Sequence, residues 1–170
     1  QSLIYFHSNP QDLKYKETIT TKCLKNFTID SIFDAFTAFD GNCYLASSLS
    51  NTYDIEVYNL QNNKLAATLK GLTAALYIIR HYPQYSTNID YLLATSTSKC
   101  VKVWNLKTYT ECLTIKNCHS GSYMYSALLL FDDINKKNYV VTSSPNDYIK
   151  LWDFEKGLFV SDVGTKNDYT

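Results

Sequence analysis

The chain has 170 residues, of which 45% are hydrophobic and 15% aromatic, so it holds enough apolar side chains for one domain with a buried core and is not a disordered chain. Sixteen basic residues balance sixteen acidic ones, which argues against electrostatic binding to nucleic acid or to an anionic membrane surface. No apolar run approaches the ~18 residues of a membrane-spanning helix, so we expect no membrane insertion.

Short runs of apolar and aromatic residues, separated by turns rich in Asn, Asp, Gly and Pro, predict strands along the whole chain. Two of these runs belong to a partial unit over residues 1–27, whose last strands we expect at Leu3–His7 and Lys14–Thr21. The first complete unit covers residues 28–71. Its four predicted strands are Ile32–Phe39, Tyr44–Ser48, Ile55–Leu60 and Lys64–Leu69.

Two further units follow, and each again contains four predicted strands. The strands of the second unit, residues 72–117, are Ala74–Arg80, Tyr91–Thr95, Val101–Leu106 and Glu111–Ile115. Those of the third unit, residues 118–166, are Tyr123–Asp132, Tyr139–Ser143, Tyr148–Phe154 and Leu158–Val163. We expect long loops at His81–Asp90 and Asp132–Asn138, and a link to a following unit at residues 167–170.

One heptapeptide recurs in the third strand of each unit, as DIEVYNL (Asp54–Leu60), CVKVWNL (Cys100–Leu106) and YIKLWDF (Tyr148–Phe154). Its aromatic residue falls at 58, 104 and 152, which gives spacings of 46 and 48 residues. A period of 40–50 residues with a Trp-Asp pair is typical of propeller blades that each contain four strands.

With the segments LASS (Leu45–Ser48), LATS (Leu93–Ser96) and VVTSS (Val140–Ser144), the chain resembles the WD40-repeat family along its whole length. The resemblance implies an all-β fold, namely a WD40-type β-propeller of antiparallel four-stranded blades. Three blades are complete and one is partial, about 3.5 in all. Because 3.5 blades cannot close a ring, we expect the rest of the propeller to come from a longer chain, from a second copy or from a partner subunit.

In this family a hydrogen-bonded set of His, Ser, Asp and Trp typically locks each blade. The third unit matches that set best, with His119, Ser144, Asn146 in place of Asp, and Trp152 followed by Asp153. The second unit keeps Ser96 and Trp104, but Ser98 replaces the Asp, and Tyr58 replaces the Trp in the first unit. The resemblance therefore implies structural roles for these residues.

Candidate catalytic and metal-binding residues have simpler structural interpretations. Cys118-His119 lacks a visible third group for a nucleophile and two further ligands for a metal. Asp132-Asp133 would point to opposite faces of a strand, and the five glycines form no phosphate-binding loop. We therefore expect no enzyme, no cofactor and no metal.

The five cysteines are an odd number without a CxxC pair, which indicates free thiols and a reducing, cytoplasmic location.

The function that fits these observations is a non-catalytic scaffold that binds other proteins and assembles a complex. The alternatives are a regulatory propeller attached to a kinase or ubiquitin-ligase subunit and an RNA-associated propeller. Family resemblance implies that partners most often bind the end of the propeller formed by turns before the Trp-Asp strands. Candidate contact residues there are Tyr53, Lys99, His119, Tyr123, Asp147 and Tyr148.

Overall fold

The computed structural model describes residues 32–49, 51–121, 124, 126–145 and 147–164. Within these ranges the expected all-β architecture is confirmed, since twelve strands form three antiparallel sheets of four strands each. This arrangement is consistent with propeller blades. The strands predicted at Leu3–His7 and Lys14–Thr21 lie outside the described residues.

Each sheet is built from four strands that are consecutive in the chain and paired in that order. Sheet 1 contains β1 (Phe33–Thr37), β2 (Cys43–Ser48), β3 (Ile55–Asn59) and β4 (Lys64–Leu69). Sheet 2 contains β5 (Leu76–Gln84), β6 (Ile89–Ser96), β7 (Val101–Asn105) and β8 (Thr110–Ile115). Sheet 3 contains β9 (Ser126–Asp132), β10 (Lys137–Ser143), β11 (Ile149–Asp153) and β12 (Phe159–Val163).

The recurring heptapeptide occupies the third strand of every sheet and has the same register each time. Its aromatic residue pairs with Leu45, Leu92 or Val140 of the second strand. The pairing with the fourth strand shifts immediately before Tyr58, Trp104 and Trp152. The repetition therefore extends to the β-bulge, which bends the outer strand at the same point of each sheet.

In each heptapeptide, the residue that follows the aromatic residue stabilises the next turn. The side-chain oxygens of Asn59, Asn105 and Asp153 accept hydrogen bonds from backbone N–H groups two or three residues later, at 2.8–3.2 Å. Asn and Asp are favoured at such turns because a short acceptor can satisfy a free backbone donor. Asp153 of the Trp-Asp pair thus stabilises a turn.

The three sheets stack face to face through two apolar cores. Because side chains alternate along a strand, one set of positions in sheet 2 packs on sheet 1 and the other set packs on sheet 3. The core toward sheet 1 includes Ala46, Ile55, Val57, Leu92, Ala94 and Trp104. The core toward sheet 3 includes Leu93, Val101, Val103, Leu129, Val140 and Trp152.

Two connections differ from the sequence prediction. The segments His81–Asp90 and Asp132–Asn138 were expected as long loops, but β5 extends to Gln84 and β10 begins at Lys137. Only residues 85–88 and 133–136 remain as turns between the paired strands. Pro83 is compatible with this extension because β5 lies at the end of its sheet, where a missing N–H costs no ladder bond on the open side.

The strands leave two ends of the stack. We call the "hairpin end" the one formed by the turns that join first to second and third to fourth strands. The "crossover end" is formed by the turns between second and third strands and by the links between sheets. No helix among the described residues has the length and apolar character needed to cross a membrane.

Candidate functional site

A buried chain of polar side chains lies under Trp152 in sheet 3. The Trp152 Nε1–H donates to Thr142 Oγ1 at 2.8 Å, and Thr142 Oγ1 lies 2.9 Å from His119 Nε2. The other ring nitrogen, His119 Nδ1, lies 3.1 Å from Asp147 Oδ2. We call this set of four residues the "polar lock".

The donors and acceptors of the polar lock fit a neutral imidazole. An indole N–H can only donate, so the Thr142 oxygen accepts it, and with a neutral imidazole the Thr142 hydroxyl donates to His119 Nε2. His119 then carries its proton on Nδ1 and donates it to the Asp147 carboxylate. Every member of the lock is satisfied when the imidazole is neutral.

The electrostatics agree with a neutral imidazole beside an ionised carboxylate. Burial lowers the pKa of His119, and the favourable interaction with Asp147 does not fully offset it. Burial alone would raise the pKa of Asp147, but hydrogen bonds from the Tyr148 N–H, His119 and the Ser120 N–H outweigh it and lower that pKa to about 2. The ammonium of Lys150, 3.7 Å from Asp147, acts in the same direction.

The polar lock brings together His119 and Trp152 as expected from the sequence, but its other two members are different residues. The hydroxyl is that of Thr142, whereas Ser144 lies beyond the end of β10, buried, with its Oγ 3.5 Å from the Pro145 carbonyl. The carboxylate is that of Asp147, and Asn146 lies outside the described residues.

Strand register could have identified Thr142 from the sequence. Val140 pairs with Trp152, and Thr142, two residues further along β10, lies on the same face as the indole. The register of β10 on β11 therefore selects Thr142, which lies ten residues before Trp152 in the sequence.

Among the described residues of sheets 1 and 2, the corresponding positions form no such chain. Register places Ala94 of sheet 2 and Ser47 of sheet 1 where sheet 3 has Thr142. The expected pair Ser96 and Ser98 bond to each other, at 2.8 Å. The Tyr58 hydroxyl donates to Glu56 at 2.6 Å.

The cysteine beside His119 is not directed toward it. Cys118 is buried, its thiol donates to the Ile115 carbonyl at 3.5 Å, and burial raises its pKa to about 12. A thiol with that pKa remains protonated near neutral pH, and the protonated form is a poor nucleophile. The two neighbours therefore have separate partners.

Asp132 closes its own turn, and Asp133 bonds to a neighbouring turn. Asp132 accepts hydrogen bonds from the backbone of Ile134 and Asn135, and Asp133 accepts one from the Ser86 hydroxyl. Among the described residues, no cluster of three or more His, Cys, Asp or Glu side chains could hold a metal ion. Four cysteines in the same ranges are free thiols: Cys43, Cys100, Cys112 and Cys118.

The residues expected to bind partners lie at the crossover end, but some are committed to internal contacts. His119 and Asp147 are buried in the polar lock. Lys99 is half-buried, and its ammonium lies 3.4 Å from the Ser120 carbonyl oxygen. Tyr53 is half-buried, Tyr148 is exposed, and Tyr123 lies outside the described residues.

The outward face of sheet 3 is apolar. Its positions Tyr139, Val141, Ile149 and Leu151 are equivalent by register to Tyr91, Leu93, Val101 and Val103 of sheet 2. The four residues of sheet 2 are buried against sheet 3. Those of sheet 3 are half-buried, and beside them Leu128 and Leu130 are 38% and 48% exposed.

The fold is similar to that of a protein of known structure. The crystal structure of the computationally designed Ika4 protein matches with a TM-score of 0.52 and 22% sequence identity, over 71% of this chain. The match covers 66% of the Ika4 chain, slightly less than two thirds of its length. No family model matches the sequence. No curated protein matches it either.

Proposed function

We propose that this chain forms part of a WD40-type propeller and serves as a non-catalytic scaffold that holds other proteins in a complex. The observation that carries the proposal is the outward face of sheet 3. Its apolar residues repeat, position by position, the face with which sheet 2 docks onto its neighbour. A face of that composition is suited to burial against another protein surface.

The polar lock supports the WD40 type. Its members are a His, a hydroxyl residue, an Asp and a Trp, the residue types that typically lock blades in that family. The lock occupies the sheet whose sequence resembles the family most closely, and Thr142 takes the place of the serine.

The partner for the outward face is another four-stranded sheet of the same build. It would come from a second copy of this chain or from a partner subunit. The equivalent contact between sheets 2 and 3 is formed by interdigitated aliphatic side chains, and a second such contact would bury Leu128, Leu130 and Val163. Each of these side chains is already about half covered, so the contact would add roughly half of the about 1.5–3 kcal/mol that complete burial is worth.

The proposal is tested with a matched pair of variants. Leu130→Glu places a charge on the outward face of sheet 3, and Ile134→Glu places one on the β9–β10 turn of the same sheet, at a residue that is 92% exposed. The tagged protein is purified from its own cells, and the mass and composition of the intact complex are measured. We expect a complex of more than one polypeptide that Leu130→Glu disrupts and Ile134→Glu preserves.

Two results would contradict the proposal. One is a protein that behaves as a single polypeptide with a cooperative thermal melt in light scattering after size-exclusion chromatography. The other is a complex that both variants leave intact. A dimer of this chain that Leu130→Glu dissociates would identify the second copy as the partner.

A further inference from the structure

A pocket of about 380 Å³ opens at the hairpin end, between sheet 1 and sheet 2. Its walls come from the β1–β2 turn, the β5–β6 turn and the β7–β8 turn, so both sheets contribute to it. The residues predicted from the sequence to contact partners belong to the opposite, crossover end.

Aromatic rings form much of the pocket wall. Phe36 and Tyr44 are buried and stacked, with ring centroids 5.8 Å apart. Phe39 is 38% exposed, and its ring meets that of Tyr85 edge to face at 5.4 Å. Tyr109 completes this wall from sheet 2. Such a wall suits an apolar stem, and the faces of aromatic rings also attract cations.

Two carboxylates belong to the same pocket. Asp90 is buried, and its oxygens accept hydrogen bonds from the Phe39 N–H at 2.8 Å and from His81 Nε2 at 2.7 Å. Asp40 is exposed and accepts the Tyr44 hydroxyl at 2.7 Å. One lysine, Lys107, also lines the pocket. The pocket therefore has two carboxylates and one ammonium group among its lining side chains.

The Asp40–Tyr44 pair keeps its charge near neutral pH. Burial, and then the hydrogen bond to Asp40, raise the pKa of Tyr44 to about 12, so the tyrosine stays a neutral donor. Burial would raise the pKa of Asp40, but hydrogen bonds from Asn42 and Tyr44 outweigh it and lower that pKa. The negative charge at the mouth of the pocket is thus permanent under ordinary conditions.

We infer that this pocket binds the cationic side chain of a partner protein, with the alkyl stem of a lysine against the rings and its ammonium group near Asp40. The inference deepens the scaffold proposal and rests on it for the identity of the ligand as a protein. The binding chemistry itself belongs to the pocket and can be measured with a small probe.

The test uses n-butylammonium as the probe and butan-1-ol as the neutral molecule of the same chain length. Binding is followed by nuclear magnetic resonance through the ring protons of Phe39 and Tyr109, at low ionic strength. We expect butylammonium to bind at least three-fold more tightly than butanol. Both affinities should be weak because the probes are small.

A charge reversal at the rim sharpens the test. Lys107 is exposed, so Lys107→Glu leaves the core intact and should raise butylammonium affinity about three- to ten-fold, since two units of charge change several ångströms from the ligand. Lys156→Glu makes the same change of charge on an exposed turn of sheet 3 and should alter the affinity less than two-fold.

Three results would overturn the inference: equal binding of butanol and butylammonium, no binding of either probe, or equal effects of Lys107→Glu and Lys156→Glu. These outcomes are separate from those of the scaffold test. Probe binding can succeed where Leu130→Glu disrupts nothing, and the scaffold can stand where the pocket proves indifferent to charge.

Discussion

Sheets 2 and 3 anchor the same aromatic position in two different ways. Trp104 is 2% exposed and packs in a core that includes Leu92 and Ala94. Trp152 is 9% exposed, and its indole N–H donates to Thr142, which continues to His119 and Asp147. Ala94 and Thr142 occupy the same register position, so sheet 2 has a methyl group where sheet 3 has the central hydroxyl of the polar lock.

This difference shows what the repeat requires. Both tryptophans sit in the same bulged pairing and on the same face of their strands, so the shared requirement is a large apolar anchor. The polar lock is an addition to that anchor. It replaces part of an apolar contact with hydrogen bonds. Losing one of these bonds leaves a buried donor or acceptor without a partner.

The largest effect is expected on removing an anchor. Trp104→Ala should lower the free energy of unfolding by about 4 kcal/mol, and Trp152→Ala by about 3 kcal/mol, because truncating a buried aromatic side chain leaves a cavity. The order follows from the deeper burial of Trp104. Chemical denaturation of both variants measures the difference, and a larger loss for Trp152→Ala would mean that the polar lock outweighs burial.

A smaller effect tests the hydroxyl at the centre of the lock. Thr142→Val keeps the shape of the side chain but leaves Trp152 Nε1 and His119 Nε2 without their partner. The expected loss of unfolding free energy is about 2 kcal/mol.

Thr95 in sheet 2 provides the matched control. It is as deeply buried as Thr142, but its hydroxyl has no hydrogen-bond partner among the described residues. Thr95→Val should therefore be neutral or stabilise the protein by up to about 1 kcal/mol. Equal losses in the two variants would show that the hydroxyl of Thr142 contributes no more than its shape.

Much of the architecture could be predicted from the sequence because it depends on local patterns. The predicted strand Val101–Leu106 is observed as Val101–Asn105, and Lys64–Leu69 is observed with the same bounds. Periodic apolar residues and turn residues determine such elements. The extension of β5 through Pro83 was missed because a proline indicates a strand end unless the strand is known to lie at the edge of its sheet.

The site was less predictable because it depends on which atoms meet in space. Ser144 and Thr142 both lie an even number of residues before Trp152, and only the end of β10 after Ser143 decides between them. The role of Asp147 depends on the conformation of the following turn, where its Oδ1 accepts the Tyr148 N–H at 2.8 Å. The pocket between sheets 1 and 2 has no signal in the sequence, since its walls come from three separate turns and from strand residues of both sheets.

The smallest expected effect concerns pH and is confined to sheet 3. Because the folded protein lowers the pKa of His119 below its ordinary 6.5, the unfolded chain binds the proton first. The stability that the neutral imidazole contributes is complete above pH 6.5 and is lost as the pH falls below that value. Asp147 adds a second loss, on the order of 1 to 2 kcal/mol, as the pH falls from about 4 toward 2, because its pKa is 3.8 when unfolded and about 2 when folded.

Other groups titrate over the same range, so the measurement is a difference between proteins. The free energy of unfolding is measured from pH 8 to pH 3 for the native protein, for His119→Gln and for Asp147→Asn. Subtracting the His119→Gln curve should leave a loss that begins near pH 6.5. Subtracting the Asp147→Asn curve should leave a loss below about pH 4, together with a change near pH 6.5 because Asp147 raises the pKa of His119. Thr95→Val, which alters the second strand of sheet 2, should shift the whole curve without changing its slope. A changed slope in that variant would mean that residues outside the polar lock contribute to the pH dependence of stability. The difference between the Trp104 and Trp152 anchors would then not be electrostatic.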